Sequence, residues 1–169
     1  MTAVYLKGGE RLAARLAEIG RNMNKAGSVK IGFLENATYP DGTSVAMVAA
    51  IQEFGAPSVG IPPRPFFRNM IAAHEGEWPD AAAALVKKND YDTAKVLGQI
   101  GEGIAGQLRQ SIVDLTDPPL KPSTIKRKGF DKPLVDTGHL LASVSYEVSG
   151  ADGAATYTDP GMSGSYSTE

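Results

Sequence analysis

Ile51-Gln52-Glu53-Phe54-Gly55-Ala56-Pro57-Ser58-Val59-Gly60-Ile61-Pro62-Pro63-Arg64-Pro65-Phe66-Phe67-Arg68 is the stretch on which the architecture of this chain turns. An apolar run, Val45 to Ile51, arrives at Phe54-Gly55, and glycine is the residue that most readily closes a helix in a left-handed cap. Pro57, Pro62 and Pro63 forbid regular hydrogen bonding and fix an extended path. Pro65 suits the first turn of a new helix, where its missing N–H costs nothing. Phe66, Phe67, Met70 and Ile71 follow as that helix's buried side. Phe54, Gly55, Pro62, Pro63, Pro65 and Phe66 therefore make a stiff elbow with a large apolar load. Nothing in it has the character of a reaction centre, and the expectation is of a shape held against neighbours.

Upstream of the elbow, Leu12, Leu16, Ile19 and Met23 follow helical spacing within Glu10 to Asn24, an amphipathic helix. Val29, Ile31 and Phe33 then alternate with Lys30 and Gly32, the period of a half-buried strand. Asn36 to Thr43 reads as a loop around Pro40-Asp41-Gly42, and Ser44 caps a helix over Val45 to Phe54 that is apolar nearly all round and so expected to be buried.

Downstream, a helix from Pro65 to about His74 is interrupted at Gly76 and Pro79 and resumes over Asp80 to Lys88. The strongest helix spans Thr93 to Leu115, with Leu97, Ile100, Ile104, Leu108, Ile112 and Leu115 on one face. Glycines 98, 101, 103 and 106 each weaken it by about 1 kcal/mol, which makes sense where another backbone packs closely, from this chain or a neighbouring copy. Asp117-Pro118-Pro119 ends it. A short basic turn, Ile125 to Gly129, precedes Asp136 and Thr137, which can cap a short helix over Gly138 to Ala142. Val144, Tyr146 and Val148 form a second strand. The expected class is α+β: a small antiparallel or mixed sheet packed by several helices. Residues 1–149 read as one domain and 150–169, rich in Gly, Ser and Thr, as an extended C-terminal arm expected to cross onto another subunit.

With 169 residues, such a chain buries roughly 70% of its unfolded surface and needs no staples. The absence of cysteine excludes disulfides and thiolate chemistry and fits a reducing compartment. A formal charge of −2 supplies no global field toward nucleic acid or anionic membrane. No apolar run approaches the roughly 20 residues of a membrane span, and Glu10 and Arg11 stand where a signal peptide needs an apolar core. The expectation is an intracellular product with no cofactor, no metal and no membrane partner.

Several motifs invite chemistry. Gly101-Glu102-Gly103-Ile104-Ala105-Gly106 matches the dinucleotide fingerprint, but it lies inside a helical period with no strand ahead of it. Leu134-Val135-Asp136-Thr137-Gly138 resembles an aspartic protease signature, yet His139 stands where a small residue belongs and little chain remains downstream. His74 and His139 lack metal-ligand spacing. Gly161 to Ser165 lacks the second glycine of a nucleophile elbow. Glu75 and Glu77 fall at an expected kink. The basic segment carries more weight: Lys121, Lys126, Arg127, Lys128 and Lys132 against Asp131 give a net charge of +4. It is suited to phosphates or to an acidic surface, including the arm's own Asp152, Asp159 and Glu169.

Two ordered blocks carry a resemblance. Glu53-Phe54-Gly55 followed by Ile61-Pro62-Pro63-Arg64-Pro65-Phe66-Phe67-Arg68 is the first. Pro118-Pro119-Leu120-Lys121-Pro122-Ser123-Thr124-Ile125-Lys126-Arg127-Lys128-Gly129 with Lys132-Pro133-Leu134-Val135-Asp136-Thr137-Gly138-His139-Leu140 is the second. Together, over about Val29 to Val148, they resemble the neck or tail-completion (virion morphogenesis) proteins of long-tailed double-stranded DNA bacteriophages. The resemblance implies a structural, non-enzymatic virion subunit forming a ring, sixfold by analogy, at the head–tail joint. Its neighbours would be a head-completion or adaptor ring and a tail terminator or tail tube, with DNA passing through the lumen and assembly in the host cytoplasm. Tail terminator and head-closure protein are alternatives within the same neck. An aspartic peptidase using Asp136 and a DNA-binding accessory protein are the competing classes. Arg64, Arg68, Lys121, Lys126, Arg127, Lys128 and Lys132 are the candidate inter-subunit or lumen contacts.

Overall fold

A computed structural model describes residues 8–34 and 37–150, and the backbone of Ala155–Thr158. The first alternating run becomes β1 (Ser28–Phe33) and the second becomes β2 (Val144–Ser149). They pair antiparallel, from Ser28 opposite Ser149 to Phe33 opposite Val144. β3 (Ala155–Thr158) adds to the other edge of β2, so the sheet is antiparallel with order β1-β2-β3. The helices are α1 (Gly9–Met23), α2 (Val45–Phe54), α3 (Phe66–His74), α4 (Trp78–Lys88), α5 (Thr93–Asp114), α6 (Pro122–Lys128) and α7 (His139–Ala142), with a 3-10 turn at Pro57–Val59. The class is α+β.

The sheet belongs to residues far apart in sequence, and α5 is what holds it. The Asp92 carboxylate caps α5 by accepting from the Lys95 N–H at 3.3 Å, as expected of a residue just ahead of a helix. From there α5 crosses β1 and β2 and receives α3 and α4 on its other sides. Leu108 and Ile112 of α5 are buried with Phe66, Val45, Val144 and Val148 as the largest enclosed side chains. Gly101 explains how the helix lies so close to the sheet: a Cβ there would sit 2.5 Å from the Tyr146 ring. At Gly98, Gly103 and Gly106 the close packing does not come from this chain, because a Cβ on any of them would meet nothing within 4 Å. One glycine of the four is explained by packing within this chain.

Several local expectations are corrected. Pro65 precedes α3 as its cap residue and is not its first turn. Pro79, read as an interruption, sits in the first turn of α4, where a proline is tolerated. The basic turn is a full helix, α6, starting at Pro122. Although expected to be enclosed, α2 leaves Met47 53% and Phe54 66% exposed. The arm read over 150–169 contributes β3 to the sheet, while 151–154 and 159–169, and with them any crossing onto another subunit, lie outside the described residues.

The first helix departs furthest from a packed amphipath. None of its 15 residues is buried. It is tied down by polar groups near its C-terminal half: Arg15 grips the Asp90 carboxylate, Asn22 donates to the Asp90 carbonyl at 3.1 Å, and Thr93 donates to the Asn22 carbonyl at 3.1 Å. Lys25, just beyond the helix, reaches Asp92 at 2.7 Å. Of the apolar ridge that predicted this helix, Leu12, Leu16 and Met23 are left exposed while Ile19 is half-buried.

Candidate functional site

The elbow is built on Glu53, the first residue of the block quoted above and one with no role expected of it. Proline lacks the N–H and side-chain oxygen that open a helix, and α3 has no cap from its own N-terminal residue. The Glu53 side chain, one helix earlier and only 5% exposed, takes that role. Its carboxylate accepts from the Phe67 N–H at 2.9 Å and the Arg68 N–H at 3.2 Å, two of the donors a helix start leaves unpaired. The negative charge also lies at the positive end of α3. Arg68 closes the clamp, donating through Nε to the carboxylate at 2.7 Å and through a terminal nitrogen to the Glu53 carbonyl at 3.1 Å.

Gly55 makes the corner. Its φ of 75° and ψ of 172° are glycine-only backbone and not the left-handed cap expected. A Cβ there would lie 2.8 Å from the Pro63 nitrogen and 2.9 Å from the Ile61 carbonyl oxygen. Ala56 and Ile61 then bridge across the loop, and the Arg64 N–H bonds the Gln52 carbonyl at 2.6 Å, so the chain returns alongside the end of α2.

That return decides the fate of Arg64. Expected as an outward contact, it is 8% exposed, with one terminal nitrogen on the Gln52 side-chain oxygen at 3.1 Å. Burial lowers its pKa from the ordinary arginine value. Its backbone is bound into the corner, which carries the side chain inward with it. Arg68 stays at the surface, with its guanidinium 5.2 Å from the centre of the Phe54 ring. Beside it opens a cavity of about 240 Å³ whose lining includes Phe33, Ala46, Ala50, Glu53, Phe54, Phe67 and Arg68.

The basic segment divides. Lys128 donates to the Lys132 carbonyl at 2.7 Å and to the Val135 carbonyl, and lies 4.9 Å from the Phe130 ring centre. Lys132 donates to the Val113 carbonyl at 3.0 Å, at the end of α5. Both lysines hold the loop onto the body and are not outward contacts. Lys121, Lys126 and Arg127 are exposed and have no partner among the described residues. The outward charge is therefore smaller than the sequence count implied.

Asp136, Thr137 and Gly138 form the turn into α7, but Gly138, with φ 79°, is the residue at the cap. Thr137 receives the His139 N–H at 3.4 Å, and no hydrogen bond reaches the Asp136 carboxylate among the described residues. The capping role expected of Asp136 is corrected accordingly: glycine in the left-handed conformation turns the chain without it. Next to this turn the His139 ring stacks 4.7 Å from Tyr39 and its Nε2 lies 2.9 Å from the Thr38 carbonyl oxygen. Burial, and then the charges of Asp136 and Asp41, push the Tyr39 hydroxyl up from its ordinary pKa.

The dinucleotide-like glycines lie within α5 and open no helix. Between α3 and α5 a cavity of about 320 Å³ has a mixed lining that includes Asn69, Met70, His74, Gln107, Asp114 and Leu115. Among the described residues no cluster of His, Asp and Glu is placed to hold a metal, and no helix is long and apolar enough to cross a membrane. The Gly161 to Ser165 segment lies outside the described residues. The chain matches no family model, no curated protein and no solved structure.

Proposed function

We propose that this chain is a structural subunit of the head–tail joint of a long-tailed double-stranded DNA bacteriophage. It assembles as a ring, sixfold by the resemblance, that completes the tail end and links it to the head connector, and it makes and breaks no covalent bond. The observation that carries this reading is the elbow. Its buried charges, Glu53 and Arg64, are directed at backbone and neighbouring side chains, while Met47, Phe54 and Val59 face outward. Fixed geometry beneath exposed apolar groups suits contact with other subunits more than turnover. Tail terminator and head-closure protein remain alternatives within the same neck.

Stoichiometry tests it directly. Purified virions should contain the chain at a few copies each, located at the neck, and particles lacking it should accumulate as separate heads and tails. Absence from intact virions would overturn the reading. A DNA-binding accessory role is favoured by one observation, the outward Lys121, Lys126 and Arg127. A steep loss of DNA retention with added salt would support it.

A further inference from the structure

We infer that α1 of one copy lies in the α2–α3 groove of the next copy, and that this contact propagates the ring. The inference rests on the ring reading and names the two surfaces that meet. Leu12, Leu16 and Met23 are 62%, 59% and 52% exposed. With Ile19 their 4-3-4 spacing is the seam of a helix that packs along another helix. Beside that seam Gly9, Ala13 and Ala17 recur at every fourth position and add no charge, so a broad uncharged face looks outward.

The groove has the opposite shape. It is lined by the small Ala46, Ala49 and Ala50 of α2 together with the rings of Phe33, Phe54, Phe66 and Phe67. Met47, seven residues before Phe54 and so on the same side of α2, is 53% exposed and adds apolar surface beside it. Large side chains on one helix thus face small ones on the other, the arrangement by which helices interlock.

Electrostatics favours the match. The α1 face brings no ion, and the groove's own ions, Glu53 and Arg68, already neutralise each other at 2.7 Å. Closing the contact buries no unpaired charge, which would otherwise be costly.

A chain cannot fill its own groove. Arg15 and Asn22 both fasten α1 to Asp90, at the start of α5. The groove lies by Phe66, whose carbonyl receives the Ser111 hydroxyl, further along the same helix. At the helical rise, Thr93 and Ser111 are about 27 Å apart, and only Gly9 to Ala14 extend beyond the Arg15 anchor. Ridge and groove sit at different places, so copies join head to tail and close into a ring if the rotation permits. One helix strip, roughly 22 Å by 10 Å, is small beside the ~800 Å² per partner of a stable pair. The contact is therefore expected to build a closed ring without a lasting dimer.

The chain has no cysteine, so single introduced cysteines report neighbours cleanly. Full-length Leu16→Cys and Ala50→Cys proteins are mixed, oxidised mildly and run without reductant, with the mass of each measured by light scattering. The expected result is a mixed disulfide, joining position 16 of one copy to position 50 of another, that exceeds either self-link. Linking of Leu16→Cys to itself overturns the inference in favour of paired first helices. An oligomer with no link overturns this contact and leaves the ring reading standing, whereas a single-chain mass at every concentration overturns both. Leu16→Asp is the second variant. It should leave Tm unchanged, since Leu16 touches no core, and weaken assembly roughly tenfold or more. Unchanged assembly by that variant also overturns the inference.

Discussion

Gly55 and Glu53 show how two neighbouring residues set one corner by different physics. The backbone at Gly55 is closed to other residues both by its angles and by the Pro63 and Ile61 atoms an added Cβ would strike. Gly55→Ala should therefore cost about 3 kcal/mol or more, read as a shift in denaturant midpoint with unchanged slope. Glu53→Ala should cost about 2–3 kcal/mol by orphaning two N–H groups and freeing Arg68, and a loss below half of that would mean water satisfies the α3 start. The glycine was legible because proline and glycine announce backbone requirements in sequence. Glu53 was not, because its partners lie fourteen and fifteen residues on and no local pattern encodes a cap from that distance. Arg64 misled for the same reason: a charged residue between prolines reads as exposed until the return of the chain along α2 is known. At Asp92 the folded carboxyl pKa is held below 3.8, first by the Lys25 hydrogen bond. Between the folded and unfolded values the unfolded chain binds more protons, so this contribution is complete above about pH 4 and fades as pH falls through the folded pKa. Asp92→Ala should remove about 1 kcal/mol of capping at neutral pH and flatten the acid limb of a Tm-versus-pH curve.

At the scale of elements, α5 was legible in length and period because 22 residues of repeated spacing average out local noise. Its register on the sheet was less so. The long apolar residues announce the helix, but the closest approach is made by Gly101 against Tyr146, and a missing side chain gives no apolar signal. Two substitutions separate the glycines. Gly101→Ala should destabilise by about 1–3 kcal/mol through overpacking, despite its helix propensity. Gly103→Ala should stabilise by about 0.5–1 kcal/mol, because its Cβ enters open space. Thermal melts of the two proteins decide this, and equal shifts would show that the helix slides to relieve the clash. The first helix is the converse case. Its period correctly gave a helix, yet period alone cannot say whether an apolar face meets its own core, and here Leu12 and Leu16 remain outward.

For the whole molecule the question is which surfaces face what. The α+β class followed from the order helix, strand, helices, strand, whereas β3 was hidden in a polar segment whose pairing depends on β2 being already in place. The charged surface was partly misread because Lys128 and Lys132 turn back onto carbonyls of their own chain, leaving Lys121, Lys126 and Arg127 outward. That division makes a sharper test than reversing the whole segment. Lys126→Glu with Arg127→Glu changes the outward field by four units without touching a core contact, although acids in the last turn of α6 oppose its dipole and cost about 0.3–1 kcal/mol each. Tm should thus fall only slightly. If these cations face the lumen or an adjacent ring, heads and tails made with the double variant should fail to join in an in vitro complementation assay, and lower salt should deepen the defect. Lys128→Glu should behave in the opposite way, unfolding the loop and lowering Tm, because it removes two carbonyl partners and the contact with Phe130. Normal joining by the double variant would make the outward cations a solvated face, and equal Tm losses in both proteins would mean the division between holding and outward lysines is wrong.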